Sequence, residues 1–275
     1  QKVACARPLY THLPPSLQPP IHSQARVLFN PPFDSSGSSA IATFKAMTEQ
    51  RDSDAEVSKQ LGNEAYKEKD YESAVEHYSD ALEMQPDWAS VYGNRAAAFL
   101  MLEDYAAALD DSLKSVQLDP TYTRGYMRAG RCYLKMMRLA EARREFARAL
   151  ELEPNNKQVT AELETVKEIS SALERAEALL QECKWSEALR ATQRAEELSG
   201  PSVRSRKLKT EVLLGLRKYH DVLTLSTDWL RDTPNNPDAL YIRGKALYYT
   251  DNHDSALNHF KQALVLDPDS KRTMA

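Results

Sequence analysis

Five polar side chains stand out by type and spacing. Lys59 and Asn63 are four residues apart, as are Arg124 and Arg128, and Asn94 precedes Arg128 by 34. On a helix, residues four apart share a face, so each close pair is read as one local cluster of donors. Three cations and two amides are suited to holding an anion through charge-assisted hydrogen bonds. They supply no nucleophile, no general base and no metal-ligand set. The only histidines close together in sequence, His253 and His259, are six apart. That spacing does not put both on one helical face at ligand distance, and no cysteine lies nearby to complete a site. The adjacent acids Asp110–Asp111 and Glu196–Glu197 point different ways on a helix and are expected to be solvated faces. No G-x-S-x-G, G-K-[ST] or H-E-x-x-H string occurs. The residues therefore describe a binding protein and no enzyme, with no cofactor and no small-molecule substrate.

The elements that must position these residues follow from a period. Pro86, Pro120 and Pro154 are 34 apart, and each is preceded by an alanine twelve residues earlier, at Ala74, Ala108 and Ala142. The third unit carries Tyr126, Gly130, Tyr133, Ala142, Phe146, Ala149 and Pro154 at positions 4, 8, 11, 20, 24, 27 and 32, the tetratricopeptide pattern. Small residues at 8 and 20 let the two helices of a hairpin approach, apolar ones at 4, 11 and 24 fill the space, and proline at 32 stops one helix before the next. One hairpin cannot cover its own apolar face, so neighbours must stack. Units are placed at 55–88, 89–122 and 123–156. The frame then breaks by twelve residues and resumes at 169–202, 203–236 and 237–270, where Ala188, Pro234, Gly244, Ala256, Phe260, Ala263 and Pro268 mark it. Two of these later units are degenerate, with Gly200 in place of proline and Thr210 in place of a small residue. Across the break, Val159, Leu163, Val166, Ile169, Leu173, Ala176 and Leu180 recur at helical spacing with no glycine or proline. The fold expected is all-α: a tetratricopeptide solenoid of two arrays of three helical hairpins, at 55–156 and 169–270, joined by a long helix whose linking portion is 157–168, with a tail at 271–275.

In these registers Lys59 and Asn63 are positions 5 and 9 of the first unit, Asn94 and Arg128 are position 6 of the second and third, and Arg124 lies one turn before Arg128. Stacking aligns them into one polar strip over three first helices. The strings K-x-x-G-N (Lys59 to Asn63), Y-G-N-R-A-A-A (Tyr92 to Ala98) and R-G-Y-x-R (Arg124 to Arg128) resemble the dicarboxylate clamp of tetratricopeptide co-chaperones. The resemblance implies that Lys59, Asn63, Asn94, Arg124 and Arg128 hold the acidic C-terminal tails of cytosolic Hsp70 and Hsp90, in an adaptor that assists transfer of clients between them. Arg124 stands where lysine is more usual. Tyr66, Ala97 and Leu100 are expected to form an apolar pocket for a preceding side chain. The second array has Leu173, Glu177, Leu208, Asp238 and Ile242 in the five corresponding registers. Lys207 and Arg243 lie one residue away, and no second clamp is expected. The string A-L-Y-I-R-G-K-A-L-Y-Y (Ala239 to Tyr249) also matches the family. No His-Pro-Asp string occurs in the chain, so no J-domain is expected within it. The alternative reading is a protein–protein interaction scaffold for an unrelated assembly, with these residues only solvating a groove.

Composition sets the remaining bounds. The 275 residues carry 36 Lys and Arg against 40 Asp and Glu, a net charge of −4, and mean hydropathy is −0.59. No whole-chain basic excess speaks for nucleic acid, and no apolar run is long enough to span a membrane. Neither is an expected partner. Within 55–156 the balance is 13 basic to 18 acidic, yet Arg124 to Arg148 holds eight bases against Glu141 and Glu145. The three cysteines, Cys5, Cys132 and Cys183, form no paired framework and are expected to be reduced thiols of a cytoplasmic protein, with the nucleus also open to it. Half of the 14 prolines fall in the first 32 residues. Residues 1–54 are accordingly expected to be a disordered Pro/Ser-rich segment. The polar, periodic pattern begins just after Met47 in a chain numbered from Gln1, which reads as a fragment or as a start at Met47.

Overall fold

The structure, a computed structural model, describes residues 37–268, with side chains from residue 45. The described residues form twelve helices and no strand. The chain divides into two units, residues 1–49 and 50–275. The helices are α1 (Gly37–Glu68), α2 (Tyr71–Met84), α3 (Ala89–Met101), α4 (Tyr105–Leu118), α5 (Thr123–Lys135), α6 (Leu139–Leu152), α7 (Lys157–Gln181), α8 (Trp185–Ser199), α9 (Val203–Gly215), α10 (Tyr219–Asp232), α11 (Pro237–Tyr248) and α12 (His253–Leu266). The expectation of disorder over 1–54 needs correction. Residues 37–54 are helical in α1: after Pro32 the stretch has no proline, and from Ala40 to Arg51 it holds three alanines with Lys45, Met47, Glu49, Gln50 and Arg51, which lose little on entering a helix. The first 36 residues, like 269–275, lie outside the described residues.

Backbone geometry repeats with the sequence period. Between the helices of each hairpin one residue takes positive φ: Lys69, Glu103, Met137, Cys183, Arg217 and Asp251, all between 56° and 66°. Three are 34 apart, then comes a step of 46, then three more 34 apart, which is the twelve-residue break in the frame. A residue in this conformation just past a helix end lets the chain reverse within a few residues. At the other end of each hairpin the prolines act as stops. Gln85, Asp119 and Glu153 cap α2, α4 and α6, each donating its backbone N–H to the carbonyl four residues earlier at 2.9 Å. Proline follows each cap and cannot continue the ladder. Gly200, at the degenerate position, caps α8 with φ 78°. Thr210 is buried and spends its hydroxyl on the carbonyls of Arg206 and Lys207, 2.9 and 2.8 Å away.

Packing follows the same units. Ala74, Ala108, Ala142, Ala188 and Ala256 are sealed between hairpin helices, Tyr78 and Phe146 pack with Ala74 and Ala142, and Trp229 packs with Val222. Each such large side chain, fully buried, contributes about 1.5–3 kcal/mol relative to exposure. The 25-residue α7 has the expected stripe: Val159, Val166, Ile169, Leu173 and Ala176 are buried. Its N-terminal part packs against the third hairpin and its C-terminal part pairs with α8.

Candidate functional site

The first helices of three successive hairpins, α1, α3 and α5, bring Asn63, Asn94 and Arg128 to one depression of about 250 Å³. Gly62 governs one wall. A Cβ there would lie 2.7 Å from the Tyr78 ring, so only glycine admits that ring against α1. The buried Tyr78 hydroxyl then donates to Asn63 Oδ1 at 2.8 Å, and Asn94 Nδ2 donates to the same oxygen at 3.1 Å. With its oxygen facing two donors, the Asn63 amide presents N–H groups to the depression. Burial pushes the Tyr78 phenol up to about 12, assisted by the neighbouring Tyr66 and opposed by Arg128, so it remains a donor at neutral pH.

Arg128 crosses the backbone of Gly93, where a Cβ would come 2.8 Å from its Nη1. It donates from Nη1 to the Tyr122 hydroxyl at 3.2 Å. Arg124 and Arg128 together line an adjoining depression of about 380 Å³. Neither has an ion pair among the described residues, whereas other cations of the basic segment do: Arg131 with Glu162, Arg138 with Glu141, Arg144 with Glu145 and Arg148 with Glu151. Half of the eight basic residues over 124–148 are thus paired within the fold, while Arg124 and Arg128 face the depressions, with Glu153 also lining the second and its carboxyl pKa lowered chiefly by the Asn156 hydrogen bond and in part by Arg124.

Lys59 is placed differently. Its ammonium lies 4.5 Å from the centre of the Trp88 ring and 2.6 Å from Glu56, one turn earlier on α1. The Lys59 hydrogen bond holds the Glu56 carboxyl below its ordinary range against some desolvation. An incoming anion engages Lys59 either in exchange for Glu56 or beside it, since the ammonium has three N–H donors. The sequence reading missed Glu56, Tyr78 and Tyr122. For Tyr78 a signal existed in the glycine at position 8 facing an aromatic at position 24. Lys67 also lines the first depression, one turn beyond Asn63.

Three further expectations change. Tyr66 and Ala97 do line the first depression, but Leu100 packs into the core around Ala108 and Met127. Asp111 is not on a solvated face. It is buried, and Arg95 grips it with Nε and Nη2 at 2.7 and 2.8 Å while donating to Ser79 Oγ at 2.9 Å. Glu196 is likewise engaged, accepting from Lys209 at 2.6 Å and from the Ser205 hydroxyl at 3.1 Å. In the second array, Leu173, Leu208 and Ile242 are buried, and Glu177 is paired with Arg204 at 2.8 Å. Lys207 is paired with Asp238. Arg243 donates to the Leu223 carbonyl and the Thr227 hydroxyl. No described helix is long and apolar enough to cross a membrane.

Comparison with known proteins agrees with this architecture. Tetratricopeptide-repeat family models match residues 59–123, 123–156 and 237–270. The DnaJ homolog subfamily C member 7 of Homo sapiens is 36% identical over 219 residues, covering 80% of this chain and 44% of the relative. Its homolog in Dictyostelium discoideum is 32% identical over 223 residues, covering 78% and 41%. The chain therefore spans less than half the length of these curated relatives. The crystal structure of the P58(IPK) TPR domain superposes with a TM-score of 0.73 at 17% identity, covering 89% of this chain and 68% of that one, a likeness of fold alone. The hairpin period, the recurring reversed turns, the matched repeats and this shared architecture together make the chain a tetratricopeptide-repeat protein.

Proposed function

We propose that the first array is a receptor for the acidic C-terminal tails of Hsp70 and Hsp90, and that the chain acts as a non-enzymatic co-chaperone adaptor in the cytoplasm that assists client transfer. The observation that carries this reading is the convergence of Asn63, Asn94 and Arg128 on one depression, with the Asn63 amide oxygen held by Tyr78 and Asn94 and with Arg124 and Arg128 together on the adjoining one. A terminal aspartate carries two carboxylates, one on the main chain and one on the side chain. Arg124, Arg128 and the two amides supply donors for both, and Lys59 joins in exchange for Glu56 or beside it. The DnaJ names of the relatives favour a place among chaperone partners.

Each charge-assisted hydrogen bond contributes about 1.5–3 kcal/mol, offset by the ordering of a flexible tail. A short peptide is expected to bind at roughly micromolar strength, about −8 kcal/mol. The test is calorimetry with a peptide ending in Glu-Glu-Val-Asp as free acid and as C-terminal amide. Amidation removes one carboxylate and is expected to weaken binding at least about tenfold, ~1.4 kcal/mol. Equal affinities would reject the clamp. Arg128→Ala is expected to abolish binding while leaving helix content unchanged.

A further inference from the structure

The string Ala239 to Tyr249 takes no part in the acidic-tail reading. It forms most of α11 and its C-terminal cap, and it supplies Lys245 and Tyr249 to a cavity of about 690 Å³ in the second array. Leu180 of α7, Trp185 at the start of α8, Leu214 of α9 and Tyr219 at the start of α10 complete its apolar wall. This cavity lies apart from the registers that correspond to the clamp, which the second array fills with buried leucine and isoleucine and with paired acids.

The rings of the cavity are held in place. Tyr219 and Tyr249 stack with centroids 5.2 Å apart and planes 17° from parallel, and Tyr248 meets Tyr249 edge-on at 5.7 Å. Trp185 lies against the α9 backbone at Gly215, where a Cβ would come within 2.5 Å of its ring. Yet Tyr249 remains 51% exposed, and Tyr248 beside the cavity 55%. Large rings that are already ordered but still wet lose little entropy when covered, and Trp, Tyr and Arg are the side chains that dominate binding energy at protein interfaces. The cavity also carries Arg217, Lys245 and Glu211. None of the three has an ion pair among the described residues, the Lys245 ammonium lying 5.7 Å from the centre of the Tyr241 ring, so two cations without a carboxylate partner face one acid. The complement of this wall is apolar with acidic flanks.

We infer that this cavity is a second peptide site, which takes an extended internal segment of a partner protein carrying large apolar side chains beside acidic ones. No chain end is required, since nothing there reproduces the amide pair of the first array. The site stands or falls independently of the tail receptor.

The test uses the full chain and a fluorescein-labelled peptide, Ser-Gly-Phe-Asp-Phe-Asp-Gly-Ser, blocked at its C-terminus by amidation so that no terminal carboxylate is offered. Saturable binding is expected by fluorescence anisotropy. It should weaken roughly tenfold when Tyr249→Ser is introduced or when the peptide's Phe residues become Ser, and about threefold with Lys245→Gln. Replacement of the peptide's Asp residues by Lys should abolish it, and Arg128→Ala should leave it unchanged. Lys245→Glu, which leaves the ring stack intact, is expected to weaken binding further than Lys245→Gln and serves as the deciding variant if Tyr249→Ser loses helix content by circular dichroism. Absence of saturable binding to the native chain, equal binding of the Lys peptide, indifference to both Lys245→Glu and Tyr249→Ser, or loss with Arg128→Ala would each overturn the inference.

Discussion

Tyr78→Phe isolates the step that turns a packing contact into a binding property. The substitution removes one oxygen from a side chain that is only 2% exposed and leaves its ring against Gly62. Asn63 Oδ1 loses the donor at 2.8 Å but keeps Asn94 at 3.1 Å, so no acceptor is orphaned and the loss is the net worth of a single hydrogen bond, about 1 kcal/mol. For a repeat array of this size that corresponds to a melting temperature lower by about 2–4 °C. The same bond also fixes which way the Asn63 amide faces. With one donor left, restoring the binding orientation costs a similar ~1 kcal/mol, and tail affinity is expected to fall about fivefold. Calorimetry on a double-mutant cycle reads this directly: in an Asn63→Ala background, Tyr78→Phe should have no effect on affinity. An equal loss in both backgrounds, or none in the native one, would refute the positioning role. The phenol adds a pH signature. Its folded value, about 12, lies above the ordinary 10.0 because burial disfavours the phenolate. Its share of stability is therefore fully present below pH 10 and is lost as pH rises toward 12, so native protein should lose stability relative to Tyr78→Phe only in that window.

Two other residues give separate checks. Asp111→Ala strands the Arg95 guanidinium, whose side chain is 20% exposed, and is expected to cost about 3 kcal/mol, since breaking a buried pair leaves an uncompensated charge; adding Arg95→Met should recover part of this in chemical denaturation, and a double variant no more stable than Asp111→Ala would contradict it. Burial pushes the Cys132 thiol up to about 12 while Cys183 is exposed; maleimide labelling followed by mass spectrometry should therefore mark Cys183 in the native protein and Cys132 only after denaturant, and equal rates at the two sites would be inconsistent with the sealed third hairpin.

Much of the fold could be read from periodic prolines and alanines because each performs a local task that no other residue type does as well: proline ends a helix, alanine lets two helices touch. The reversed turns between paired helices were not legible. Lys69, Glu103, Met137, Cys183, Arg217 and Asp251 share no chemistry, and their positive φ is imposed by closure of the hairpin against the residue's own preference. The helix over 37–54 was missed for the opposite reason, since serines and prolines upstream set the reading of a segment that has no proline and whose good helix formers lie between Ala40 and Arg51. At the site, Asn94 and Arg128 were found by register, because stacking converts a spacing of 34 into adjacency, and Asn63, 31 before Asn94, by its place on the same face of the first helix. Glu56 beside Lys59 and Asp111 beneath Arg95 were not, since a contact across or along a hairpin depends on side-chain reach as well as on register.

The second array shows why register alone does not make a binding site. Its positions matching the clamp are occupied by Leu173, Leu208 and Ile242, which the core absorbs, and by acids that its own cations answer. Backbone placement is common to both arrays, so the difference lies in what the surrounding hairpins leave unsatisfied. In the first, Tyr78 spends its hydroxyl on Asn63, and Arg131, Arg138, Arg144 and Arg148 are paired, while Asn63, Asn94 and Arg128 meet at one depression and Arg124 joins Arg128 at the next. In the second, polar groups at the corresponding level are satisfied internally, and the open surface is instead the ordered ring wall around Tyr249. One scaffold thus presents an anion receptor or an aromatic one according to which groups the packing leaves without a partner. The two should respond differently to salt. Attraction of a tail to Arg124 and Arg128 is screened as ionic strength rises, whereas at the ring wall the same screening of Arg217 and Lys245 is offset by burial of rings, which excluded salts such as sulfate strengthen. Titrating both peptides in sulfate is expected to weaken the tail peptide more steeply than the ring-site peptide, and equal weakening of both would show that charge governs the two alike.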